Sequence, residues 1–149
     1  MKNYSATYNL HLKLIVELLR TGDYLDSKVS AVLKDFGITH IQFNILRILE
    51  GAAPEPLPVG KIKERLLFTK SDVTRLLDRL EKKELISRNI CPNNRRKMDI
   101  EITQNGLDLT EKVLPLIEET LEGFYKDKIG EEERDIVIEV LKKISGERI

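Results

Sequence analysis

Residues 69–102 read TKSDVTRLLDRLEKKELISRNICPNNRRKMDIEI, and the spacing of their apolar positions changes once, after Leu85. Up to that point Val73, Leu76, Leu77 and Leu80 recur at helical intervals and define one face. The opposite face carries Lys70, Ser71, Thr74, Arg75 and Arg79. Thr69 is placed to cap this helix, with Asp72 at the reciprocal position of a capping box. Beyond Leu85, Ile86, Arg88 and Ile90 alternate with Ser87 and Asn89, and Met98, Ile100 and Ile102 alternate with Asp99 and Glu101. Cys91-Pro92-Asn93-Asn94-Arg95-Arg96 separates the two runs. Period two on both sides of a Pro-Asn-Asn turn predicts a β-hairpin whose tip holds Arg95, Arg96 and Lys97.

Upstream, a short helix is expected over about residues 61–67, and a tight turn joins it to the helix that Thr69 opens. Two short helices, the second basic on its exposed face, form a helix-turn-helix, and a hairpin directly after them is a wing. The loop 52–58 holds three alternating prolines and cannot be helical, apart from a short extended piece at residues 57–59. Before it, Thr39 and Gln42 stand at capping-box spacing ahead of Ile41, Ile45, Leu46 and Leu49, so a helix starts there and Gly51 ends it.

Long helical patterns occupy both ends. Leu14, Leu18, Leu25, Val29, Val32, Leu33 and Phe36 mark a helix over about residues 8–36, with Gly37 at its C-terminal cap. Leu107, Val113, Leu114, Ile117, Leu121, Phe124 and Tyr125 mark another to about residue 129, which Pro115 is expected to kink. A last helix, about residues 131–145, opens on three glutamates suited to its positive end and places Ile136, Val137, Val140, Leu141 and Ile144 together. The expected fold is therefore mainly α with a small β-hairpin wing. It divides into an N-terminal helix (1–38), a winged helix-turn-helix module (39–103) and C-terminal helices (104–149). The end helices either cover one another or are buried between two subunits, and the extent of their apolar faces in so short a chain favours a dimer.

The 149 residues balance at net charge zero, but the charge is unevenly placed. Residues 61–97 hold twelve Lys/Arg against five Asp/Glu, a net +7, while residues 98–149 hold seven against fourteen, a net −7. One confined basic region is the electrostatic footprint of a nucleic-acid reader, although a solvated helical surface can carry a similar local excess. Hydrophobic residues at 41% supply a core, and no apolar run is long enough to span a membrane. The polar start and the single cysteine, Cys91, fit a cytoplasmic protein without internal disulfides.

The residues that would carry the chemistry follow from this layout. At the start of a recognition helix, Thr69, Lys70, Ser71, Thr74 and Arg75 can reach base edges in a major groove, and Arg79 lies one turn further on, within phosphate range. Lys61 and Lys63 on the preceding helix are candidate phosphate contacts. Asn94, Arg95, Arg96 and Lys97 at the wing tip can enter a minor groove, where a narrow groove draws in arginine. The charges alone would also suit a plain solvated surface; the cap followed by a hairpin would not. His11 and His40 lie on separate predicted helices without neighbours at metal-ligand spacing, and no phosphate-binding glycine loop or nucleophile motif occurs, so no enzyme, metal or cofactor is expected.

The run from Val73 to Arg88, the turn Pro92-Asn93-Asn94-Arg95-Arg96 and the sequence Ile102-Thr103-Gln104-Asn105-Gly106 together resemble the MarR (multiple antibiotic resistance regulator) family, and the helix order resembles it over nearly the whole chain. The resemblance implies a homodimer joined through its terminal helices and a palindromic double-stranded operator. It also implies a repressor released by a small aromatic or lipophilic effector bound between the dimer region and the reading module, with a pocket walled in part by the first and fifth helices. Residues 69–75 would match the groove-reading helix and Arg96 the wing arginine. The chain departs from the family at Asn94, where Asp is usual, at Glu84, where Gly is favoured, and at Lys63, where a small residue is usual. Some relatives sense oxidants through cysteine, but a plain strand residue is the favoured reading of Cys91. The competing reading is a winged-helix protein-interaction module without sequence-specific DNA binding.

Overall fold

The computed structural model describes residues 6–67, 72–90 and 98–146. Helix α1 (Ala6–Lys34) leads into α2 (His40–Glu50), strand β1 (Leu57–Pro58) and helices α3 (Val59–Arg65) and α4 (Val73–Lys82). Strands β2 (Ile86–Ile90) and β3 (Met98–Ile102) follow, then α5 (Gln104–Tyr125) and α6 (Glu131–Ser145). The fold is the expected one, mainly helical with a small antiparallel wing. The hairpin pairs Ile86 with Ile102, Arg88 with Ile100 and Ile90 with Met98. The short extended piece at Leu57 is a real third strand, paired with β3 at Ile100, so the sheet order is β1-β3-β2.

The core lies where α2, α4 and the sheet meet the C-terminal half of α1 and the first half of α5. Leu33, Ile45, Leu46, Ile62, Leu80, Ile100 and Val113 are fully buried there. Local caps set the boundaries. α1 stops at Lys34, two residues earlier than its apolar period suggests, because Gly37 adopts φ +66° and turns the chain. The Ile38 N–H then donates to the Leu33 carbonyl at 3.3 Å and the Gly37 N–H to Lys34 at 3.0 Å, closing the helix end. At α2 the Thr39–Gln42 capping box forms in full, and it satisfies Gln42, one of the few buried polar side chains in the core. Helix α5 runs unbroken through Pro115 and ends at Tyr125, earlier than its apolar pattern extends. Gly130 then caps α6, its N–H donating to the Glu133 carboxylate at 2.9 Å.

The junction of α4, the wing and α5 is tight. Glu84 ends α4 with φ +58°, and the Leu85 N–H donates back to Leu80 at 3.1 Å. A left-handed residue thus occupies the position where glycine is the unstrained choice. Thr103 closes the junction from the other side. Its N–H donates to the Leu85 carbonyl at 3.1 Å, and its hydroxyl donates to the Glu84 carbonyl at 2.7 Å while accepting from the Gly106 N–H at 3.1 Å. Gly106 sits against this knot; a Cβ there would lie 2.3 Å from the Leu85 carbonyl oxygen and 2.6 Å from the Ile102 side chain.

Alanine ordinarily stabilises a helix interior relative to glycine by about 0.5–1 kcal/mol. At position 106 the sign reverses, and Gly106→Ala is expected to lower stability by about 2 kcal/mol or more in urea denaturation, because backbone must shift to admit the methyl. Glu84→Gly is expected to raise stability by about 0.5–1 kcal/mol in the same assay, the left-handed strain of a side chain outweighing glycine's entropic cost.

Candidate nucleic-acid interface

Helices α3 and α4 form the helix-turn-helix, with Ile62 and Leu66 buried from the first and Val73, Leu77 and Leu80 from the second. The connection between them is held by Asn44 of α2, whose side-chain oxygen accepts the Leu67 N–H at 3.0 Å. The start of α4 differs from expectation. Asp72, not Thr69, is the N-cap; its carboxylate accepts the Arg75 N–H at 3.3 Å, and the first helical residue is Val73. An ionised cap satisfies the free N–H and favours the positive helix end more strongly than a hydroxyl, which fixes the boundary at Asp72.

Thr74, Arg75 and Arg79 are all exposed on α4. Arg75 is 80% exposed, and its Nε lies 3.2 Å from Asp72 Oδ2, so the cap also steadies the arginine stem at the helix entrance. On α3, Lys61 and Lys63 are exposed, and Lys61 Nζ donates to Glu64 at 2.8 Å, which partly offsets its charge. Thr69, Lys70, Ser71, Cys91, Asn94, Arg95, Arg96 and Lys97 lie outside the described residues. The structure therefore brings together Arg75, Thr74 and Arg79 on one helix, with the α3 lysines on the helix before it.

Three contacts that fix this module escape a reading of the sequence. Arg88 crosses from β2 to α4, where its Nη2 donates to Asp78 at 2.5 Å and its Nε stands 3.2 Å from Glu81 Oε2, an ion-pair contact rather than an aligned hydrogen bond. Lys83 Nζ donates to the Gly37 carbonyl at 2.6 Å and ties the end of α4 to the α1–α2 turn. His40 Nδ1 lies 2.6 Å from Asp26 Oδ1, joining α2 to α1. The only available sequence signal was Arg88 on the inward-alternating face of its strand, a position that calls for a partner when charged.

Away from this surface, the first half of α1 leaves Leu10, Leu14, Ile15 and Leu19 exposed, and α6 buries no residue, leaving Ile136, Val137, Val140 and Ile144 in solvent. The second half of α1 packs on α5, with the Tyr24 and Phe124 rings 5.7 Å apart. Beside that contact is a cavity of about 230 Å³ lined by Tyr24, Leu25, Lys28, Thr120, Leu121 and Phe124. Among the described residues no cluster of His, Cys, Asp and Glu could hold a metal, and no helix is long and apolar enough to cross a membrane.

A recognition helix preceded by a supporting helix and followed by a strand pair defines a winged helix-turn-helix. Residues 38–98 match the model of the MarR family. The HTH-type transcriptional regulator MhqR of Bacillus subtilis is 26% identical over 133 residues, covering 89% of this chain and 90% of that protein. Mutant MarR from Escherichia coli, in complex with operator DNA, superposes with a TM-score of 0.80 at 24% identity, over 94% of this chain and 99% of that one. Bordetella bronchiseptica BpsR, whose DNA binding is regulated by 6-hydroxynicotinic acid, superposes with a TM-score of 0.75 at 21% identity, over 86% and 89% of the two chains. The central module of this chain thus resembles the MarR family in sequence, and the chain as a whole shares the fold of its solved members.

Proposed function

We propose that two copies of this chain form a homodimer that reads a palindromic operator and represses transcription from it. The observation that carries this reading is the exposed basic entrance of α4, with Arg75 held by its own cap at the helix end that meets base edges. In this reading Arg75, Thr74, Thr69, Lys70 and Ser71 face the bases, while Arg79, Lys61 and Lys63 meet phosphates. Asn94, Arg95, Arg96 and Lys97 reach the adjacent minor groove. Residues 39–103 are the reading module, and 1–38 with 104–149 are the dimerisation region.

Dimerisation is supported by the apolar faces of α1 and α6, too extensive for a chain of this size to leave in water. Release by a small aromatic or lipophilic effector is supported by the cavity between α1 and α5, which lies in the arm that would set the spacing of the two reading helices. Tyr24 and Phe124 offer it two rings and Lys28 a cation, groups that can meet a small aromatic acid, the class of compound named for BpsR. An effector that binds one spacing better than the other shifts the operator equilibrium by that difference in affinity.

Selection of bound duplexes from a random pool tests the whole reading. A palindrome with half-sites about one helical turn apart is the expected product; a pool with no recovered motif would favour a protein-interaction module instead. On the selected duplex, Arg75→Ala is expected to cost about 1–3 kcal/mol and to relax preference at one base position, and unchanged titration curves would remove Arg75 from the base-reading set. Ile136→Asp with Ile144→Asp is expected to give a monomer in sedimentation equilibrium and to weaken operator binding by about 10²-fold or more, through loss of the second half-site.

A further inference from the structure

The recognition helix carries its own electrostatic handicap. Asp78 and Glu81 stand one helical turn apart on α4, among the residues proposed to approach phosphate, and Asp78 lies one turn after Arg75. Carboxylates within about a Debye length of a polyanion, roughly 8 Å at physiological salt, repel it. Both acids meet the same cation. Arg88 leaves β2 with its side chain only 18% exposed, places Nη2 2.5 Å from Asp78 Oδ1 and Nε 3.2 Å from Glu81 Oε2, and so spans the two carboxylates. The carboxylates are themselves about half exposed, at 49% and 46%.

We infer that Arg88 is a positioning residue for DNA binding: it fixes α4 to the wing and offsets the two α4 carboxylates, without itself contacting DNA. The inference rests on the reading of α4 as the groove helix. Geometry gives Arg88 both parts of this role. A planar guanidinium can serve two acceptors at once, which an ammonium does less well. Its strand is paired with β3 in the wing, so the contact couples α4 to the hairpin. Its burial against α4 keeps it from swinging out to phosphate.

The test compares three full-length proteins on the duplex selected by the wild type, across a range of salt: wild type, Arg88→Gln, and Arg88→Gln combined with Asp78→Asn and Glu81→Gln. Arg88→Gln is expected to bind at least about tenfold more weakly, because two carboxylates lose their shared counter-charge. Neutralising both acids in that background is expected to restore affinity to within about threefold of wild type, the non-additivity that marks a coupled group. A triple variant no tighter than Arg88→Gln overturns the inference. If the salt slope has also fallen by about one, Arg88 is a phosphate contact; if it has not, Arg88 is a scaffold residue alone. A wild-type protein that selects no duplex overturns the groove reading of α4 and this inference together.

Discussion

The structure turns on the carbonyl group of Leu85. It is the point where α4 ends, the wing begins and α5 starts, and three backbones converge on it. The Thr103 N–H donates to it, and Gly106 passes so close that no side chain fits between. The Thr103 hydroxyl serves the neighbouring Glu84 carbonyl and the Gly106 N–H at once. Leu85 and Gly106 are buried, so leaving either backbone group unpaired would cost the desolvation of a polar group, and the knot tolerates little play. α4 and the hairpin are thereby held at one angle to the long helix that carries the module.

A second set of contacts transmits that rigidity outward. Lys83 reaches the turn that ends α1, His40 meets Asp26 on α1, and Tyr24 lies against Phe124 of α5. The reading module is therefore braced against both helices that leave it. In the proposed regulation by spacing, this bracing would carry a displacement of α1 against α5 through to α4. The cavity beside Tyr24 and Phe124 is in the path of that displacement, while the uncovered apolar faces lie further out on α1 and on α6.

Glu84 illustrates how the fold accommodates a side chain where glycine would be unstrained. The position still takes a left-handed conformation, because the Leu85 N–H must turn back to Leu80 for Leu85 to reach Thr103. The side chain bears the strain and the topology is kept. At the other end of α4, the expected hydroxyl cap gives way to Asp72, whose charge serves the helix end and the Arg75 guanidinium together.

The order of helices, the hairpin, the α2 capping box and the extent of α6 were all legible in the sequence, because each depends on residues within a few positions of one another. A helical face repeats every three or four residues, a strand every two, and a cap is closed by the third residue after it. The basic entrance of α4 was legible for the same reason. Tertiary structure alone decided the pairing of β1 with β3, the seating of Gly106 on the Leu85 carbonyl, and the choice of Asp78 and Glu81 as partners for Arg88. Those contacts join segments whose separation in the chain carries no period, and they exist only once packing of the core has set the angle between α4, the wing and α5.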